Sequence, residues 1–299
     1  MRGRPYFLYL QAAVLATLVL WAYPAFAGNT PMPGAAPGPD GPTETVPFQL
    51  YQGYLIVVHG SIGSAKNLNF FLDTGATPAI LDSGLADKLN LQGKASVSIV
   101  RLDRRRPAEE ANLPSLEIGP LKRSNLRVVT ADLSFYEKIL PVKIDAIVGL
   151  DVLGQGPFMI DYPGRVIRFG PAPPLSFSVP LRLDQGLAVF DAEIDHTPVH
   201  LLFDTGAGFI TLFDRAIPQS AGAKGDPRAQ SRTTAAPEER QVWVRNLRLG
   251  SKEFGQKAAL LTRNPKPSQI DFDGLMSPAA LGISRVVVDL KAGVLAFNR

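Results

Sequence analysis

The chain has 299 residues, 45% of them hydrophobic and 19% charged, which is enough for one or two packed cores. Net charge is only +4, and the basic residues are scattered except for Arg104–Arg106 with Arg101 nearby. No aromatics interleave with that cluster, so it reads as a solvated hairpin or loop, and no nucleic-acid partner is expected.

There is no cysteine, which excludes disulfides, a thiol nucleophile, a Cys-ligated metal and a lipidated N-terminal Cys. Residues 1–27 have the three parts of a secretory signal peptide. Arg2 and Arg4 come first, then "YFLYLQAAVLATLVLWAY", then "PAFA" with Ala25 and Ala27 at the small-x-small positions before Gly28. An uncleaved membrane anchor is the alternative, because the apolar run reaches about 18 residues. Cleavage is expected, and with it export to the periplasm or the medium.

Residues 28–45 are dense in Pro and Gly and almost free of large apolar side chains. Such a segment buries too little surface to offset its ordering entropy and reads as a disordered tether. From residue 46 onward the pattern is β. "GYLIVVHGSI" and "NLNFFLDTG" are short β-rich runs bounded by turn residues, as are "LAVFDAEI" and "VHLLFDTG". "MIDYPGRVIRFG" and "VVVDLKAGVLAFN" read as hairpins, with turns at Pro163-Gly164 and at Lys291-Ala292-Gly293. Only residues 83–91, "SGLADKLNL", carry a short helical pattern.

The chain repeats itself. "VPFQLYQG" at 46–53 matches "VPLRLDQG" at 179–186, and "LEIG" at 116–119 matches "LRLG" at 247–250. "FFLDTGAT" at 70–77 matches "LLFDTGAG" at 201–208, so Asp73 and Asp204 stand 131 residues apart (204 − 73). Toward the end of each copy, Gly154 matches Gly282, Asp161 matches Asp289, and Phe169 matches Phe297, each with an offset of 128 (282 − 154). Landmarks in constant order, with small steps in offset, indicate two copies of one domain and short length changes in loops. The copies span 46–170 and 179–299, joined by residues 171–178. A lone Asp-Thr-Gly would be an ordinary strand-ending turn. Two at matched positions of a duplicated unit point to a shared role.

An apolar strand ending in Asp-Thr-Gly-Ala, followed about 75 residues later by two apolar residues and Gly in "IDAIVGLDVLG" (144–154), resembles a retropepsin-type aspartic protease unit. Two such units in one chain resemble the pepsin-like bilobal arrangement. The resemblance implies an all-β fold of two tandem retropepsin-like β-barrel lobes related by a pseudo-twofold axis. It implies that the two loops meet at that axis with Asp73 and Asp204 facing each other. Two carboxyls so close share one proton, and the pair activates a water to hydrolyse peptide bonds.

By the same resemblance, Thr74 and Thr205 reach across to the opposite loop's backbone. Gly75 and Gly206 let backbone N–H groups approach the carboxylates, and Ala76 and Ala207 keep the turns small. Ile147, Val148 and Gly149 would lie beneath the first loop. The offset of 128 puts Leu275, Met276 and Ser277 beneath the second, with Ser where the family has Gly. The flap segments, near 97–112 and 228–243, lack the glycine-rich tip of retroviral flaps and the flap tyrosine of pepsins. A charged flap at 97–112 would favour charged or polar substrates.

The implied activity is that of an aspartic endopeptidase acting on a peptide or protein, as a monomer and without cofactor or metal. His196 and His200 flank Pro198 in a predicted hairpin and share no helical face, so they form no metal site. The alternative is a catalytically weak or inactive peptide-binding pseudoprotease on the same fold, to which Ser277 and the unusual flaps would suit.

Overall fold

The computed structural model describes residues 20–21, 44–91, 95–100, 105–216, 240–263 and 271–299. Residues 1–27, read above as a signal peptide, lie outside the described residues apart from Leu20–Trp21, which pair with residues 99–100. Most of the tether and of the second flap segment also lies outside them.

Each unit closes into a six-stranded ring. In the first, Leu55–Ile62, Ala65–Leu72, Ala146–Val148, Ile80–Asp82, Leu121–Ala131 and Arg105–Ile118 pair in that order, and the last returns to the first. The second ring runs Leu187–Ile194, Thr197–Phe203, Gly274–Met276, Ile210–Phe213, Lys252–Thr262 and Arg240–Leu249, closing in the same way. Strand for strand the connectivity is identical. The architecture is therefore mainly β, built on two closed rings of six strands each. Closure removes the free edges that an open sheet would expose.

The strands that precede the Asp-Thr-Gly loops show why they form where they do. Phe70, Phe71 and Leu72 are all buried, as are Leu201, Leu202 and Phe203. A strand end buried on both faces needs a continuous apolar run, not alternation. That is the pattern both copies carry.

The terminal hairpins do something the sequence did not announce. Phe158–Asp161 and Val166–Phe169 leave the first ring, and Arg285–Asp289 and Val294–Asn298 leave the second. With Glu44–Pro47 and Phe177–Asp184 on the flanks they form six consecutive strands shared between the units. At the centre, Met159 pairs with Val287, its own duplicate 128 residues on (287 − 159). The pseudo-twofold axis passes through that pair. Each hairpin turn is held by the same aspartate: Gly164 N donates to Asp161 Oδ1 at 3.0 Å, and Ala292 N donates to Asp289 Oδ1 at 2.8 Å.

This sheet shifts two boundaries. The range 28–45 read as tether gives up Glu44 and Thr45 to a strand, and the joining segment 171–178 gives up Phe177 and Ser178. Pairing with Val166–Phe169 and Val294–Asn298 supplies the order their own composition does not. The helix is Ser83–Lys88, three residues shorter than its pattern, and Asp82 caps it by accepting from Leu85 N at 3.2 Å. A continuous apolar core extends from Phe70 in one ring through Phe158 in the shared sheet to Phe203 in the other.

Candidate active site

Both Asp-Thr-Gly loops sit where the rings face each other. Asp73 N donates to Val148 O at 3.0 Å and Asp204 N to Met276 O at 3.1 Å, so each loop hangs from the apolar strand beneath it. Those strands are fully enclosed: Ile147, Val148, Leu275 and Met276 have no exposed surface. Ile147 lies between Phe71 and Ile80, and Leu275 lies between Leu202 and Thr211, which fixes the height of each loop.

The two threonines lock the loops together. Thr74 Oγ1 donates to Phe203 O at 2.7 Å and accepts from Thr205 N at 3.0 Å. Reciprocally, Thr205 Oγ1 donates to Leu72 O at 3.0 Å and accepts from Thr74 N at 3.1 Å. Each hydroxyl spends its donor and one acceptor position on the other lobe. Four buried hydrogen bonds thus tie the two loops across the axis.

The aspartates have no exposed surface. Gly75 N donates to Asp73 Oδ1 at 2.9 Å and Gly206 N to Asp204 Oδ1 at 2.7 Å. Both glycines are obligatory for closeness. A Cβ on Gly75 would stand 2.8 Å from Asp204 Cγ, and one on Gly206 would stand 2.5 Å from Asp73 Cγ. Ala76 and Ala207 follow, buried, with Ala76 N closing the turn onto Asp73 O at 3.0 Å.

Burial pushes the Asp204 carboxyl up to about 6, while hydrogen bonds with Asp73 and from the Gly206 and Ala207 amides pull the other way. Desolvation wins because the charged form loses its water and the amides replace only part of it. The result is a buried pair of carboxyls in which Asp204 holds a proton at mildly acid pH.

The first two supporting positions are apolar in both lobes, and the third differs in kind, Gly149 in one and Ser277 in the other. A Cβ on Gly149 would collide with the Ala76 carbonyl. Ser277 occupies the duplicate position with ψ 132° where Gly149 has −162°. Its hydroxyl is buried and makes no hydrogen bond.

Several positioning groups escaped the sequence reading. Asp145 Oδ2 accepts from Asn69 N at 2.9 Å, and Asp273 Oδ2 accepts from His200 N at 2.9 Å. Lys143 neutralises Asp145 at 3.5 Å, and Arg215 neutralises Asp273 at 3.2 Å. These aspartates open "DAIVG" and "DGLMS", and each ties the strand beneath a loop to the strand leading into it. Their offset of 128 (273 − 145) was the available signal. Asp151 Oδ2 accepts from Ala79 N at 2.8 Å and steadies the chain leaving the first loop. Tyr54, also missed, is buried, and its ring lies against Gly208.

The flap segment of the first lobe forms a backbone hairpin, with Ala95–Val100 antiparallel to Arg105–Glu110. Its tip, including Arg101 and Arg104, lies outside the described residues. His200 lies at the surface, where Nδ1 meets Asp191 Oδ1 at 2.7 Å, and His196 lies 3.5 Å from Glu193. Among the described residues no three His, Cys, Asp or Glu side chains converge as metal ligands.

Residues 58–152 match the family profile described as aspartyl protease. Over those residues the chain is similar to the aspartyl protease family. That matched segment contains Asp73 and the "IVG" support at 147–149. The chain also resembles the crystal structure of basic 7S globulin from soybean, with TM-score 0.49 and 13% identity over 86% of this chain and 94% of that one. No curated protein matches it.

Proposed function

We propose that the chain is an aspartic endopeptidase whose Asp73–Asp204 pair activates water against a peptide bond. The single observation that carries this is the reciprocal Thr74–Thr205 hydrogen bonding, which holds two buried carboxyls face to face. A fold with no use for the pair would have no reason to bury two acids together, since burying ionisable groups side by side is costly.

In this reading the ionised carboxylate takes a proton from a water lying between the two. The resulting nucleophile attacks the scissile carbonyl, and the protonated carboxyl hydrogen-bonds its oxygen. The proton then passes to the leaving amine. The two loops supply both halves of the site in one chain, so a monomer acting on an exported or periplasmic peptide or protein is sufficient.

The test is cleavage of a denatured protein mixture between pH 3 and 7 by the wild type, Asp73→Asn and Asp204→Asn. Cleavage by the wild type that falls at least ~1,000-fold in both variants supports the assignment. Equal activity in all three removes it. The second reading, a peptide-binding pseudoprotease, is favoured by Ser277 in the place of a family glycine. It predicts that peptides bind but are returned intact.

A further inference from the structure

The duplication makes the two aspartates near-equivalents, so any group present on one side alone marks a difference in their work. One such group is Tyr54. It ends the turn just before the strand Leu55–Ile62, and the offset of 133 (187 − 54) puts Leu187 in its place in the second unit. The partner position is also asymmetric. Four residues after Asp73 stands Thr77, and four after Asp204 stands Gly208.

These two differences meet in space. A Cβ on Gly208 would lie 2.9 Å from Tyr54 Cε1 and 3.1 Å from Cζ, so the ring fills the volume that a side chain at 208 would need. On the opposite side Thr77 carries a side chain and approaches Gly186, the residue before Leu187, where a Cβ would lie 3.1 Å from Thr77 Oγ1. Tyr54 crosses from the first lobe to cover the loop of the second, and only 8% of it is exposed. It belongs to an apolar cluster of its own lobe that includes Leu55, Ala76 and Ile147.

We propose that Tyr54 is a positioning residue that walls the Asp204 side of the carboxyl pair off from solvent. Among the described residues, the titratable groups interacting with Asp204 are Asp73 across the axis and Tyr54 itself. Burial, and then the negative charge of Asp204, push the phenol up to about 12, so it stays neutral at every pH at which the pair works. A neutral aromatic wall excludes water without adding charge, and exclusion of water is the main reason Asp204 resists ionisation. Tyr54 thereby sets the pH at which the pair first becomes competent to take a proton from water.

This inference rests on the catalytic reading of the pair, and its test separates the two. The side-chain carboxyl of Asp204 is titrated by carbon NMR in the full chain, alongside the acid limb of kcat/KM on a peptide mixture. Tyr54→Ala opens the wall, and the Asp204 midpoint and the acid limb both move about one pH unit lower. Tyr54→Phe keeps the ring and keeps the midpoint within about 0.3 unit of wild type. Gly208→Ala, which pushes the ring away with a single methyl, moves the midpoint in the direction of Tyr54→Ala and serves if that variant does not fold. A folded Tyr54→Ala or Gly208→Ala protein with the wild-type midpoint overturns the proposal, and so does a Tyr54→Phe midpoint as low as that of Tyr54→Ala. A wild type that cleaves nothing removes the catalytic reading, and the carboxyl titration still decides the role of Tyr54.

Discussion

Thr74 and Thr205 stand 131 residues apart in sequence and hydrogen-bond each other's backbone amides through their side-chain oxygens. Each also donates to a carbonyl at the end of the other lobe's strand, Phe203 O or Leu72 O. Neither lobe can satisfy its own loop, so the site and the joining of the lobes are one structure.

Replacing Thr205 with Val keeps the shape and strands two buried groups, Leu72 O and Thr74 N. Each stranded group costs about 1–3 kcal/mol. Thr205→Val should therefore lose about 2–5 kcal/mol in denaturant unfolding, while Thr205→Ser, which keeps the hydroxyl, loses far less. A Thr205→Val protein as stable as wild type would show that the cross-axis bonds are not made in solution.

Gly75 and Gly206 permit the carboxyls to approach, because each faces the opposite aspartate with no room for a methyl. Gly206→Ala must separate the loops or rotate Asp73. The expected outcome is a drop in kcat/KM of about 100-fold or more, since small misplacements of reacting groups are amplified in rate. Circular dichroism should show the β structure intact.

Gly149 and Ser277 are duplicates with opposite tolerance. Gly149→Ser drives a side chain into the Ala76 carbonyl, and overpacking of this kind costs about 1–3 kcal/mol or more. Ser277→Ala removes a buried hydroxyl that has no partner, so it should be neutral or stabilising by up to about 1 kcal/mol. Thermal unfolding of the two variants side by side checks the contrast.

The pH dependence of stability follows from Asp204. Its folded carboxyl is raised from 3.8 to about 6, so between those values the folded state holds a proton that the unfolded chain has released. The unfolded state binds fewer protons there, and stability falls as pH rises through this window. Asp204→Asn keeps an oxygen to accept from Gly206 N and never ionises. It should be more stable than wild type by about 1–3 kcal/mol at pH 7, with the gap closing below about pH 4. Urea midpoints measured across pH 3–7 read this directly; a gap that widens toward acid would contradict the sign.

Asp145 and Asp273 offer a test of the supports. Asp273→Ala leaves His200 N without its acceptor and Arg215 without its counter-ion. A loss of about 1–3 kcal/mol is expected, together with reduced cleavage, because the strand that carries Met276 O beneath Asp204 is no longer tied down. Asp145→Ala should behave alike through Asn69. Similar effects in both variants would show that the duplicated supports act equivalently.

Much of this was legible in residues alone. Apolar runs flush against Asp-Thr-Gly, and repeated landmarks with slowly drifting offsets, reflect local demands: a strand buried on both faces, a turn with no room for bulk, a hairpin closed by an aspartate. Such demands are met by residue type at a position, so they leave a mark in sequence. Three things left none. The union of the terminal hairpins into one sheet depends on which backbone edges meet, and Phe158–Asp161 would carry the same residues in either arrangement. The fit of Tyr54 against Gly208 joins positions 154 apart (208 − 54) whose volumes have meaning only together. The elevated Asp204 carboxyl comes from water excluded by both lobes at once. Local chemistry fixed what each lobe could be; only the packing of one lobe on the other decided where water cannot go.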